Sequence, residues 1–233
     1  MQIIKASEIP KVPSMLLYGD NRTGKTYLLS TASQVPFLCP TLIIDADGGA
    51  VTAQQTDPNQ DIAVFDPKKP FISQLPEALK KAKDGNFKFI AVDTLSYLMH
   101  RCLMEISGWQ KPGWPHYTAL FSLIHKWVIE LKAITPYLCC TCFVKHDKND
   151  EGTIMSSFPQ IVGQDFPRVL ASEFNILGFM SMKTTKTGKD EKTEYTLKTR
   201  QAGKECTGDR LTILGDLTNP TMQTVFEKIG FKL

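Results

Sequence analysis

No stretch of the 233-residue chain approaches the roughly eighteen consecutive apolar residues that a membrane-spanning helix needs. No basic start runs into an apolar segment at its opening, so a secretory leader is not read there and the expected setting is the cytoplasm, without a membrane partner. Charge of one sign is also scarce: 27 Lys and Arg against 24 Asp and Glu leave a formal net charge of +3, which by itself announces no polyanion. Cysteine is too sparse and scattered for a disulfide framework. Cys39, Cys102 and Cys206 stand alone, while Cys139, Cys140 and Cys142 crowd one apolar run. Cys139 and Cys142 have C-x-x-C spacing, but an odd separation in a strand puts them on opposite faces, so buried structural thiols are expected. Internal repeats and low-complexity tracts are missing too. What remains, 42% hydrophobic and 22% charged residues, is the composition of an ordinary globular protein, read as one domain over residues 1–233.

The chain alternates between two periodicities. Ser14 to Tyr18, Thr41 to Asp45, Asp61 to Phe65, Phe87 to Val92 and Tyr137 to Val144 are apolar runs of strand length. Lys25 to Ala32, Phe71 to Lys83 apart from Pro76, Thr94 to Ile106 and Tyr117 to Ile134 have helical composition. Near-continuous apolar strands alternating with helices predict an α/β fold with a mainly parallel sheet covered on both faces. The last sixty or so residues change character, with strands over Phe174 to Met182 and Thr193 to Arg200 around the polar turn Thr184 to Lys192, then a short helix from Thr221 to Ile229. Ser107 to His116 and Lys145 to Asp165 read as surface loops.

One segment carries specific chemistry. Gly19, Asp20, Asn21, Arg22, Thr23, Gly24, Lys25 and Thr26 match G-x-x-x-x-G-K-[ST] between a predicted strand and a predicted helix, with Tyr27 following. In that pattern backbone N–H groups cradle phosphates, the lysine reaches the terminal phosphates and the hydroxyl binds magnesium. ATP and Mg²⁺ are the expected ligands. Asp93, at the end of a buried strand, is the expected second metal group beside Thr26; the alternative for it is a cap on the helix that follows. Thr94 comes next, so no acid adjacent to Asp93 can activate water. Asp47, just past the second strand in Asp45-Ala46-Asp47-Gly48-Gly49, is the candidate base, against the reading of a turn-forming Asp-Gly pair. His146, at a strand end, is a candidate contact to the γ-phosphate or the attacking water, and a lone histidine there is as readily incidental.

Taken in order, Ser14 to Thr26, Ile44 to Gly49, Asp93-Thr94-Leu95, Val144-Lys145-His146-Asp147 and a terminal hairpin ending Lys198-Thr199-Arg200 resemble the phage RecA-like single-strand annealing ATPases of the Sak type. The resemblance implies a RecA-like core over about residues 12–180, a C-terminal hairpin and tail over about 174–233, ATP with magnesium, and a single-stranded DNA partner in phage recombination or annealing. It also implies a homo-oligomer, ring or filament, and a single-strand-binding protein as a further partner. In such assemblies Lys or Arg from the adjacent subunit commonly meets transition-state charge, and the matching loop places Lys204 and Arg210 in that role, with Arg200 finishing the strand. Relatives usually carry glutamate where Asp47 stands, so slow turnover is expected. They also usually have proline and small residues where Asp20, Asn21 and Arg22 stand here.

DNA contacts are expected from the Lys145 to Asp165 loop and the loop holding Trp109 and Trp114, where an aromatic can stack a base. The basic residues of 181–210 read equally well as a solvated hairpin. Three alternatives stay open: a hexameric helicase or translocase on the same core, a small-molecule kinase, and an assembly protein that binds ATP without hydrolysing it.

Overall fold

The computed structural model describes residues 13–163, 166–187, 190–201 and 203–232. Asp165 and Ala202, which belong to two of the predicted loops, and Gly188 and Lys189 of the predicted hairpin turn lie outside them.

Five short apolar runs form parallel strands: β1 (Met15–Tyr18), β2 (Thr41–Asp45), β3 (Asp61–Val64), β4 (Phe89–Asp93) and β5 (Tyr137–Cys142). A polar two-stranded sheet, β6 (Val144–Lys148) with β7 (Ile154–Pro159), stands apart from them. The C-terminal part supplies β8 (Ile176–Thr187), β9 (Asp190–Lys198), and the two-residue strands β10 (Gly208–Asp209) and β11 (Leu217–Thr218). Across the main sheet the order is β11-β9-β8-β1-β5-β4-β2-β3, with β10 beside β8. Strands β3 to β8 along that order run parallel, and β9 and β10 are antiparallel to β8.

The side-chain period of two sorts each strand into two cores. On one face Leu16, Tyr18, Ile44, Val92, Cys140 and Cys142 meet α3 (Phe71–Asp84), α4 (Leu95–Ile106) and α5 (Trp114–Ile134). On the other, Met15, Leu17, Ile43, Ala91 and Cys139 meet α1 (Lys25–Ser30), the one-turn α2 (Ala53–Thr56) and α7 (Met222–Ile229). Cys139 and Cys142 therefore do face opposite ways, each fully buried. Each large side chain buried here contributes about 1.5–3 kcal/mol relative to exposure, which is why short strands without strong caps hold together. Helix α3 continues through Pro76, because Phe71, Leu75, Ala78 and Ala82 keep one apolar face inward while the proline sits on the solvent side.

Two predicted loops are corrected. Lys145 to Asp165 contains the β6–β7 hairpin, turned at Gly152 (φ 79°), where Gly152 N donates to Asn149 O at 2.9 Å. Its strands are half exposed, so they carry little of the apolar alternation by which strands are found in sequence. Ser107 to His116 overlaps a helix: α5 starts at Trp114, with Pro115 in its first turn and His116 Nδ1 accepting from Gly113 N at 2.9 Å. Helix α6 (Phe166–Ser172), too short for a periodic signal, was not anticipated.

The hairpin is tied to the core through Tyr18, the last residue of β1. Its hydroxyl lies 3.0 Å from Ser157 O on β7 and 2.9 Å from Cys206 O in the C-terminal loop. Burial, with lesser help from Cys206 and Glu205, pushes this phenol well above its ordinary range, so it is present as the donor. We expect Tyr18→Phe to cost about 1 kcal/mol, since Ser157 O keeps the N–H of Cys206 at 2.8 Å. Amide exchange should speed up in β6 and β7 while β2 and β4 stay protected; uniform acceleration would show that the hydroxyl supports the whole fold instead.

Candidate functional site

The C-terminal ends of β1, β2, β4 and β5 share one edge, and the residues that follow them line a cavity of about 510 Å³. After β1 the chain turns sharply into α1. Gly19 runs so close to β8 that a Cβ there would lie 2.2 Å from Met180 O, which excludes every other residue without backbone movement. Gly24 (φ 85°) takes the left-handed conformation that starts α1, and Arg22 (φ 66°) adopts it too. This leaves the first amides of α1 facing the cavity, the arrangement that binds phosphate. Asn21, Arg22, Gly24, Lys25, Thr26 and Tyr27 all line it.

Lys25 is buried, and its ammonium donates to Gly19 O at 2.9 Å and Asp20 O at 2.7 Å. Burial lowers its pKa, opposed by the negative charge of Asp93 and, more weakly, by Cys142, Asp20 and Asp47. Asp20 itself is exposed and contributes its carbonyl here, while its carboxylate points to His146, with 3.9 Å between Asp20 Oδ1 and His146 Nε2. His146, on β6, also pairs through Nδ1 with Ser157 Oγ at 2.8 Å. The histidine is not among the residues that line the cavity.

Asp93 is the most confined charge of the site. Thr26 Oγ1 donates to its Oδ2 at 2.6 Å, and Thr141 Oγ1 donates to its Oδ1. Thr141 comes from β5, the strand lying between β1 and β4, so helix, middle strand and acid strand meet at one carboxyl. Burial raises the pKa of Asp93; the Thr141 and Thr26 hydroxyls oppose this, and the nearby carboxylates of Asp47 and Asp45 add to it. The hydroxyl and carboxylate are hard oxygen donors of the kind Mg²⁺ takes. Among the described residues no group of three His, Cys, Asp or Glu forms a protein-only metal cage. Thr26 and Asp93 fit an ion that takes its other oxygens from phosphate and water.

The two acids at the end of β2 divide their work. Asp45 is buried and accepts from the backbone N–H of Gly48 at 2.9 Å, Ala50 at 3.1 Å and Asp47 at 3.3 Å, so it builds the turn. Asp47 is exposed and lines the cavity, with Oδ2 3.4 Å from Thr94 Oγ1 and Oδ1 accepting from Gly49 N at 2.9 Å. The basic pair of the C-terminal loop is split. Lys204 is exposed on the phosphate-loop edge, where its carbonyl accepts from Ser157 N at 2.8 Å. Arg210 lies at the opposite edge, beside the start of β8, where Nη2 donates to Ser172 O at 2.8 Å and its N–H to Asn175 O at 2.9 Å. Trp109 and Trp114, 60% and 75% exposed, flank the start of α5; Trp109 covers the Arg101 guanidinium, 5.2 Å from the ring centre. Glu105 accepts from Phe71 N at 2.8 Å and so joins this corner to the start of α3.

Three residues of the site escape a motif reading: Thr141, buried behind Asp93, and Phe143 and Tyr195 in the cavity lining. None stands in a spacing pattern with the phosphate loop, and only the strand order brings them to it.

A glycine-rich loop on β1, a metal acid on β4 and one strand between them, in a mainly parallel sheet, make a RecA-like P-loop NTPase core. A family model described as an AAA domain matches residues 11–211. The chain belongs to this AAA domain family. Among curated proteins none matches. Among solved structures, the crystal structure of the flagellar accessory protein FlaH from Methanocaldococcus jannaschii is similar at 11% identity and a TM-score of 0.45, over 82% of this chain and 78% of that one. No helix of the described residues is long and apolar enough to cross a membrane.

The raised pKa of Asp93 has a sign that can be measured. A carboxyl whose pKa is higher folded than unfolded favours folding while protonated; that contribution is complete below the unfolded value, about 3.9, and is lost as pH rises through the folded one. At neutral pH the bare carboxylate is therefore a liability that a bound cation relieves. Asp93→Asn should raise the melting temperature of the nucleotide-free protein at neutral pH, by about 2–4 °C for each kcal/mol relieved, and the advantage should shrink towards acid pH. The same variant should lose magnesium-dependent nucleotide binding. A lower melting temperature at neutral pH would mean that the fold already compensates the charge.

Proposed function

We propose that this chain binds MgATP and hydrolyses it slowly, as an oligomeric ATPase that acts on single-stranded DNA. The observation that carries the nucleotide part is the Thr26–Asp93 contact of 2.6 Å closing the phosphate loop, with the carboxylate of Asp47 on the other wall of the same cavity. Magnesium, once bound, would draw charge from the terminal phosphates. Thr26 and Asp93 would hold it, and the Lys25 ammonium would exchange its loop carbonyls for phosphate oxygens. Asp47 orients a water and takes its proton as the water oxygen bonds to the γ-phosphorus and the bond to the β-phosphate oxygen breaks, leaving ADP and inorganic phosphate. An aspartate has a shorter reach than glutamate, which fits slow turnover.

The DNA part rests on position. The β6–β7 hairpin stands on the nucleotide edge, exposes Lys145, Lys148 and Met155, and is tied to the phosphate-loop strand by Tyr18. Lys145 Nζ lies 5.4 Å from the Phe158 ring centre, so a cation and an aromatic are presented together, a pairing suited to a strand with phosphates and bases. The sequence likeness to single-strand annealing ATPases points the same way. For the group supplied by a neighbouring subunit, Lys204 is the better placed, since Arg210 is engaged at the far edge.

Lys25→Ala should abolish ATP binding, whereas Asp47→Asn should keep the affinity and lower turnover by about a hundredfold or more, as loss of a general base does. Normal hydrolysis by Lys25→Ala would end the nucleotide assignment, and full turnover by Asp47→Asn would move the base elsewhere. Single-stranded DNA should stimulate the wild type, and Lys145→Ala with Lys148→Ala should weaken that stimulation and flatten its salt dependence. A rate indifferent to DNA at low salt refutes the DNA reading. Lys204→Ala should bind ATP but hydrolyse it poorly until an excess of Lys25→Ala chains is mixed in; absence of rescue in confirmed mixed assemblies excludes a shared site.

A further inference from the structure

The phosphate loop carries a negative residue of its own. Asp20 is the second residue of Gly19–Thr26, where a carboxylate opposes the phosphates that the loop amides are built to receive. Its side chain is 67% exposed and takes no part in lining the cavity, although Asn21 and Arg22, which follow it, do. It turns instead to the β6–β7 hairpin, where Asp20 Oδ1 lies 3.9 Å from His146 Nε2. Resting on the nucleotide reading above, we infer that His146 is a positioning residue for nucleotide binding, and that it acts by holding the Asp20 carboxylate out of the phosphate cavity.

Asp20 needs such a hold. Its carbonyl accepts from Lys25 Nζ at 2.7 Å and from Thr23 Oγ1 at 2.8 Å, so its backbone is fixed from inside the loop and rotation of the side chain is the freedom left to it. Among the described residues His146 is the only partner of its carboxylate. Burial lowers the pKa of Lys25, and Asp20 is among the charges that oppose this, so the carboxylate is felt at the ammonium from where it stands. Turned inward, it would be an anion beside the ammonium that the terminal phosphates must win. The hairpin thus keeps a competitor away from Lys25.

His146 can do this because it is itself fixed. It stands directly across from Ser157 in the β6–β7 ladder, and its Nδ1 lies 2.8 Å from Ser157 Oγ. Ser157 is buried, its N–H donates to Lys204 O at 2.8 Å and its carbonyl accepts from the Tyr18 hydroxyl at 3.0 Å, so the ring is mounted on a frame anchored to β1. The tautomer that accepts from Ser157 at Nδ1 carries its proton on Nε2, the atom that faces Asp20. At 3.9 Å the contact is electrostatic rather than a hydrogen bond. Lys145 and Asp147, its neighbours on β6, point to the opposite face of the strand. The ring therefore acts on the nucleotide through Asp20, not by touching the γ-phosphate.

A double-mutant cycle separates this from a direct contact with the nucleotide. Binding of ATP and ADP, each with magnesium, is measured by calorimetry on wild type, Asp20→Asn, His146→Ala, the double variant and Lys25→Ala. His146→Ala should weaken ATP about tenfold at low salt, as a released charge near the phosphates does, and the loss should shrink as salt is raised. Asp20→Asn should bind ATP at least as tightly as the wild type. Adding His146→Ala to it should cost nothing, although the hairpin is truncated in the same way. ADP should follow the same pattern, since the loop and Lys25 meet the β-phosphate too. An equal loss from His146→Ala with and without Asp20 overturns the inference: confined to ATP, it puts His146 on the γ-phosphate; shared with ADP, it makes the histidine a support of the fold. Unchanged affinity in His146→Ala overturns it as well, and if Lys25→Ala still abolishes binding the nucleotide site is left standing. If Lys25→Ala binds both ligands like the wild type, the nucleotide reading itself falls, and the role of His146 with it.

Discussion

A carboxyl group buried between two hydroxyls organises this molecule. Asp93 sits at the end of β4 with Thr26 on one side and Thr141 on the other, and each hydroxyl belongs to a different element. To bring them together the sheet must insert β5 between β1 and β4, and α1 must start close to the edge where β4 stops. Those requirements determine where the phosphate loop, the Asp45 turn and the β6–β7 hairpin can lie. A charge in such a place is tolerated because hydroxyl donors oppose its desolvation and a metal can neutralise it.

Around that point the polar groups fall into two kinds. Some are consumed by architecture: Asp45 closes its turn with three backbone N–H groups, and Glu105 holds the start of α3. Others are kept available at the cavity: Asp47 reaches it with a carboxylate engaged only by Thr94 and its own turn, and Lys25 holds carbonyls that phosphate oxygens can replace. The same residue types thus serve structure and chemistry, and hydrogen-bond partners rather than identity tell them apart.

Much of this was legible in the sequence because it is local. The run Gly19 to Thr26 combines a strand end, a turn and a helix start, and each part has its own residue signal. Asp93 was legible because a continuous apolar run stopped there. What escaped reading depends on long-range pairing. Thr141 looks like any residue of a buried strand until β5 is known to separate β1 from β4. Tyr195 reaches Gly24 across 171 residues of chain, a distance over which no periodicity reports. The β6–β7 strands were hidden for the opposite reason, since their half-exposed faces leave little apolar pattern to see. Lys204 and Arg210 are six residues apart in sequence yet stand at different edges, because β10 carries the chain beside the start of β8.

A phenol has one proton, and Tyr18 presents it to two carbonyls at almost equal distance, Ser157 O at 3.0 Å and Cys206 O at 2.9 Å. The hairpin and the C-terminal loop thus share one donor, and they are also bonded to each other, Ser157 N to Lys204 O and Cys206 N to Ser157 O, at 2.8 Å each. Displacing one therefore carries the other with it, and the pair answers to the phenol as a single unit. Because Tyr18 immediately precedes Gly19, that unit is moored one peptide bond from the phosphate loop.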